Sequence, residues 1–108
     1  MIPQITVNEL AEKLAAGQPV FLLDVREPEE HAFAALPGTT VIPLGELPGR
    51  VQEIDPPAGT LTVVYCHHGI RSLTGAHLLM RAGLASVVSL AGGIDAWSRI
   101  IDPSVPRY

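Results

Sequence analysis

Two short apolar runs, Val20-Phe21-Leu22-Leu23 and Leu61-Thr62-Val63-Val64-Tyr65, constrain the fold of this chain more than anything else in it. Both are shorter than an ordinary helix and rich in β-branched and aromatic residues, so they read as strands. The first is apolar at every position, which suits a strand covered on both faces. It ends on Asp24, a polar residue emerging at the C-terminal edge of a sheet, and the second ends directly at Cys66. Segments of helical spacing alternate with the apolar runs, which is the pattern of a parallel sheet flanked by helices. The expectation is an α/β fold in a single domain over residues 1–108, because a chain of 108 residues has no room for a second core.

Local chemistry supplies the other elements. Thr6 and Glu9 have the spacing of a capping box, and Leu10, Leu14 and a closing Gly17 complete a short amphipathic helix. Pro28-Glu29-Glu30 opens another, its acidic residues suiting the positive end of the helix dipole. Leu36-Pro37-Gly38 turns the chain into a short strand at Val41-Ile42, after which Leu44, Leu47, Val51 and Ile54 keep helical spacing that Pro48 and Gly49 interrupt. Asp55 to Gly59 is a loop. A helix is expected from an N-cap at Ser72 to Gly83, with Leu73, Ala76, Leu79 and Met80 on its apolar side. Val87 to Leu90 reads as a strand, and Gly92-Gly93 leads into a last short helix on which Trp97 is a core anchor. Pro103 and Pro106 keep the tail out of helix.

Charge and hydropathy exclude several functional classes. Lys and Arg number 7 against 11 Asp and Glu, a net charge of −4 that makes no footprint for nucleic acid. No stretch approaches the roughly 20 apolar residues that span a bilayer, and MIPQITVNEL has neither the basic start nor the apolar centre of a signal peptide. The expected protein is soluble and cytoplasmic, with no membrane or nucleic-acid partner. A single cysteine excludes an internal disulfide and a Cys-rich zinc site, so Cys66 is either a small buried hydrophobe or a reactive thiol.

Its neighbours decide between these. Tyr65-Cys66-His67-His68-Gly69-Ile70-Arg71-Ser72 sets the thiol between the end of a buried strand and the start of a helix, where open α/β sheets bind ligands. With Gly69 free to take positive φ, the loop from Cys66 to Arg71 can curl until its N–H groups point inward as an anion-binding nest. Those donors, the helix N-terminus and the Arg71 guanidinium favour the thiolate, which is the nucleophilic form. Core packing alone would require none of these parts. His67 and His68 are expected to line the pocket beside an anionic donor. They could join Cys66 as metal ligands, but consecutive residues point differently and no further carboxylate or thiol lies nearby in sequence, so no metal is expected. His31 and His77 are expected to face solvent.

Three motifs together resemble the rhodanese family: Asp24-Val25-Arg26-Glu27, the loop from Cys66 to Ser72, and Ala91-Gly92-Gly93-Ile94-Asp95-Ala96-Trp97. The resemblance covers essentially the whole chain. It implies a three-layer α/β sandwich, a five-stranded parallel sheet with helices on both faces, and a catalytic Cys66 that cycles between thiol and persulfide. It further implies a thiosulfate sulfurtransferase, with His67, His68, Gly69, Ile70, Arg71 and Ser72 around the substrate, Arg71 holding the dianionic donor, and no cofactor or metal. The partners so implied are a small donor such as thiosulfate and a thiol, cyanide or protein acceptor. Phosphatase-like and arsenate-reducing relatives have a loop one residue longer, and the short loop here suits the terminal sulfur of a persulfide. Asp24 and Arg26 read as a hydrogen-bonded support for neighbouring loops.

In one place the chain departs from the family. Where many relatives carry Gly-His-Ile-Pro-Gly, this chain has Ala34-Ala35-Leu36-Pro37-Gly38, so Ala35 replaces the usual histidine and a supporting contact is lost. The tail from Asp102 to Tyr108 resembles the ending of rhodanese domains fused behind ubiquitin-activating-type enzymes. That likeness implies a second reading, a sulfur carrier or interaction module that receives persulfide from a partner protein.

Overall fold

The computed structural model describes residues 2–108. Strands β1 (Gln4–Ile5), β2 (Val20–Asp24), β3 (Thr40–Val41), β4 (Leu61–Tyr65) and β5 (Val87–Leu90) form one parallel sheet in the order β1-β5-β4-β2-β3. Helices α1 (Val7–Ala15), α2 (Pro28–Phe33) and α3 (Arg71–Arg81) lie in the connections between them, and α4 (Gly93–Ala96) follows β5 and runs on into a π turn at Trp97–Ile101. The capping box on α1 is formed: Thr6 Oγ1 accepts from the Glu9 N–H at 3.1 Å, and Glu9 Oε1 from the Thr6 N–H at 2.9 Å. β1 escapes the sequence pattern because it is two residues long, and it exists through pairing of Gln4 with Ser89 and Ile5 with Leu90.

Alternation along the strands divides the interior into two cores. Leu22, Val63, Tyr65 and Leu90 face one side, where they pack with Leu10 of α1, Ile94 of α4 and Trp97. Leu23, Val64, Cys66 and Val87 face the other, against Ala76 and Leu79 of α3. The period of two therefore turns the Cys66 side chain toward α3.

Two local expectations, both on α3, are corrected. α3 begins at Arg71 with Ile70 at the N-cap position and no side-chain cap, because the Ser72 hydroxyl is taken up by Cys66 and Ser89 inside the first turn. Its buried face carries Gly75, Ala76 and Leu79, while Leu73 is half-buried and Met80 exposed. A Cβ at Gly75 would lie 3.2 Å from Val64 Cγ1 and 3.3 Å from Val25 Cγ1, so this glycine lets α3 settle closely on the sheet. Residues 44–54 make two 3-10 turns, Leu47–Gly49 and Val51–Glu53, as Pro48 and Gly49 deny them a continuous helix.

From β2 the chain moves outward to β3, and from β4 it moves the opposite way to β5. The connections thus diverge between β2 and β4 and leave a crevice at their C-terminal ends. Asp24 pairs in register with Tyr65, so Val25 and Cys66 leave the sheet side by side at that crevice, with Arg26 on the Tyr65 face.

Candidate active site

Cys66 is a free thiol, only 1 % exposed, at the end of the central strand. Its Sγ accepts from the backbone N–H groups of Gly69 at 3.2 Å and Ser72 at 3.3 Å. The thiol in turn donates to Ser72 Oγ at 3.5 Å, and that hydroxyl lies 2.7 Å from Ser89 Oγ. The loop curls as its glycine allows: Gly69 has φ +98°, and a Cβ there would press within 3.2 Å of Gly92 N and Leu90 O. Two N–H dipoles and the first turn of α3 thus aim partial positive charge at the sulfur. Ile70, at the tip of the loop, is 74 % exposed.

α4 holds this loop from behind. Ile94 donates its N–H to the Cys66 carbonyl at 2.9 Å, and Asp95 to the His67 carbonyl at 3.0 Å. So close an approach needs Gly93, which has φ +58° and whose Cβ would overlap both carbonyls. Gly93→Ala is expected to cost about 3 kcal/mol, from left-handed backbone strain plus overpacking. Urea denaturation measures this, and a loss under about 1 kcal/mol would show that the loop has room to shift.

Asp24 and Arg26 are both fully buried. The Arg26 side chain donates to Asp24 Oδ1 through Nε at 2.8 Å and to Oδ2 through Nη2 at 2.6 Å. Nη2 also donates to the Ala34 carbonyl at 2.6 Å, and Nη1 to the Tyr108 hydroxyl at 2.8 Å. Burial works to lower the Arg26 pKa, but the hydrogen bonds to Asp24 and Tyr108 raise it on balance, so the guanidinium stays charged. His31 does not simply face solvent, since its Nδ1 lies 3.0 Å from Asp24 Oδ2; His77 is exposed, as expected. The pair supports α2, the Ala34 turn and the tail rather than touching Cys66. At the neighbouring turn beyond Ala35, the Leu36 N–H donates to the Tyr65 hydroxyl at 3.2 Å.

Arg71, expected to point at an anionic donor, instead grips Glu30 with Nη1 at 2.7 Å from Oε1 and Nη2 at 3.0 Å from Oε2. Glu30 read as no more than an acidic first-turn residue. The Arg71 hydrogen bonds, outweighing burial, lower its pKa from the usual 4.5 to about 2. The pair's contribution to stability is therefore complete above pH 4.5, fades as pH falls toward about 2, and does not vary near neutrality. The Tyr108 hydroxyl donates to Glu30 Oε2 at 2.7 Å, and its ring stacks on His67 at 3.9 Å and 6°. His67 stacks in turn on His68 at 3.9 Å. Burial first, then His68, lowers the His67 pKa, so this imidazole is neutral at pH 7. Sequence reasoning missed Glu30 and Tyr108 because their partners lie 41 and 78 residues away.

The fold also brings Asp95 to His67 and His68, with ligand atoms within 4.8 Å of one another. Both carboxylate oxygens of Asp95 are already engaged, Oδ2 by Arg99 at 3.0 Å and Oδ1 by Arg107 at 3.2 Å. Two guanidinium charges beside the cluster oppose a cation there.

The family model of the rhodanese-like domain matches residues 6–100. The chloroplastic rhodanese-like/PpiC domain-containing protein 12 of Arabidopsis thaliana is 39 % identical across 99 % of this chain, which spans only 38 % of that protein's length. A sulfurtransferase of Allochromatium vinosum is 36 % identical, with 92 % of this chain and 91 % of that protein covered. Among solved structures, a rhodanese-related protein from Thermoplasma volcanium has a TM-score of 0.82 and 30 % identity, covering 98 % of this chain and 99 % of that one.

Proposed function

We propose, from the premise that this chain belongs to the rhodanese-like family of sulfurtransferases, that Cys66 carries sulfane sulfur from thiosulfate or a small persulfide to a thiophilic acceptor. The observation that carries this reading is the buried Cys66 Sγ held by the Gly69 and Ser72 N–H groups. In the first displacement the thiolate attacks the outer sulfur of the donor. A new S–S bond forms, the donor's S–S bond breaks, and sulfite or the donor thiolate departs with the bonding pair. In the second, cyanide or a thiolate attacks the terminal sulfur, removes it as thiocyanate or a new persulfide, and returns the Cys66 thiolate. Two easier steps replace one difficult transfer. The two N–H groups stabilise the thiolate at both ends of the cycle, and the Ser72 hydroxyl beside Ser89 adds a donor when Cys66 is ionised. His68 and Ile70 are the exposed residues of the cysteine loop, with His67 half-buried beside them. Sulfur displacement consumes no external electrons, so this mechanism calls for no metal or cofactor. The setting proposed is the cytoplasm, without a membrane or nucleic-acid partner; no helix among the described residues is long and apolar enough to cross a membrane.

Intact-mass measurement after exposure to thiosulfate, and separately to a small persulfide, should show one sulfur gained and then released by cyanide, with ping-pong kinetics in turnover. No gain with either donor would overturn the reading. A second reading, a carrier loaded by a partner protein, is favoured by the Glu30–Arg71 pair, which neutralises the only arginine of the cysteine loop. It requires loading from a protein persulfide while turnover with small donors stays at background.

A further inference from the structure

We infer that Glu30 is a specificity-determining residue: by holding Arg71 in a neutral pair at the mouth of the cysteine loop, it makes the site discriminate against dianionic donors such as thiosulfate and in favour of persulfides of lower charge. The inference rests on the sulfur-transfer reading above and names the donor class for the same site.

Arg71 is paired with Glu30, Arg26 with Asp24, and Arg99 and Arg107 with Asp95. His67 is neutral at pH 7. Arg71 and Arg26 are thus each matched by a carboxylate of their own, while Arg99 and Arg107 share Asp95, and the attraction left for an incoming anion at the cysteine loop comes mainly from backbone N–H groups and unused guanidinium protons. A dianion must either share Arg71 with an ionised carboxylate or displace it. A persulfide needs only to bring its terminal sulfur to Sγ, and its smaller charge suffers much less from Glu30.

Glu30 is also unusually well held for a residue whose side chain is partly exposed. Its Oε1 accepts from Arg71 Nη1 and from the Glu27 N–H at 3.0 Å, and its Oε2 from Arg71 Nη2 and the Tyr108 hydroxyl. Tyr108 is fixed in turn, its hydroxyl accepting from Arg26 Nη1 and its ring lying flat against His67. The Arg71 side chain is 36 % exposed and that of Glu30 20 %, and an ion pair at such exposure adds little to stability. What the arrangement does control is the field beside the cysteine loop, since the charge of Arg71 is coupled to Cys66.

Sulfate, an unreactive dianion, provides a probe that is independent of sulfur transfer: its protection of Cys66 from iodoacetamide reports dianion affinity directly. Glu30→Gln keeps the side-chain shape and removes the charge, and should tighten sulfate protection about tenfold. Tyr108→Phe, which frees one Glu30 oxygen, should tighten it about twofold. In Glu30→Gln the kcat/KM for thiosulfate relative to that for a persulfide of lower charge should rise about tenfold, and the thiosulfate rate should fall more steeply with salt. Unchanged or weaker sulfate protection in a folded Glu30→Gln protein, or an equal change with both donors, would overturn the inference. Should Glu30→Gln fail to fold, unchanged or weaker protection in Tyr108→Phe would overturn it as well. If sulfate protection tightens as expected while neither donor loads Cys66 in any variant, the control of charge by Glu30 stands and the sulfur-transfer reading falls.

Discussion

Cys66→Ser is expected to abolish persulfide formation and to lower sulfur transfer by more than about 10³-fold. The serine hydroxyl fits the same cradle: it can accept the Gly69 and Ser72 N–H groups that now point at Sγ and can donate to Ser72 Oγ as the thiol does. Stability should therefore change by no more than about 1 kcal/mol. The chemistry is what disappears, because an alcohol is a poor nucleophile at neutral pH and cannot hold sulfur as a persulfide anion. Intact mass after exposure to donor tests loading, thiocyanate formation tests turnover, and a urea melt separates both from unfolding. Transfer retained at the wild-type rate in a folded Cys66→Ser protein would remove Cys66 from the mechanism.

The largest effect on stability is expected at a residue that never touches the sulfur. Asp24→Ala should cost about 3–5 kcal/mol, because it leaves the fully buried Arg26 guanidinium without the carboxylate that accepts from both Nε and Nη2. The Ala34 carbonyl and Tyr108 hydroxyl remain, but they supply no countercharge. Removing the uncompensated charge as well, in Asp24→Ala combined with Arg26→Met, should restore part of the loss. Urea denaturation of the single and double variants measures both. A single-variant loss below about 1 kcal/mol would mean that water reaches the guanidinium and takes the carboxylate's place. Arg26 also bonds Tyr108, so the variant should loosen the hold on Glu30 and tighten sulfate protection of Cys66 in the direction expected for Tyr108→Phe.

Motifs that look alike in the sequence thus do different work. The Gly92-Gly93 motif lets α4 approach the cysteine loop closely enough to bind the Cys66 and His67 carbonyls. In the Asp24-Val25-Arg26 motif, Val25 packs in the core with Cys66, while the Asp24 and Arg26 side chains act through α2 and the tail. Trp97 is buried against the core, as its place on the last helix implied, although its indole Nε1 has no hydrogen-bond partner among the described residues.

Read alone, the sequence determined the alternation of strands and helices, the strand at Leu61–Tyr65 and the anion nest after Cys66, because each depends on neighbours within a few residues. Apolar period, glycine at a positive-φ position and Thr6-to-Glu9 cap spacing are local properties, and the structure follows them closely. The tertiary structure decided what lies across the sheet and between its loops. β1 is too short to carry a period and forms only because β5 offers it an edge. Ser72 matches an N-cap by type but is drawn inward by Cys66 and Ser89. Arg71 is a free cation in the sequence and a paired one in the fold, since Glu30 and Tyr108 come to it from distant segments for which no spacing rule exists. A hydrogen bond or ion pair depends on distance in space, and over tens of residues only the packed sheet and its crossovers set that distance.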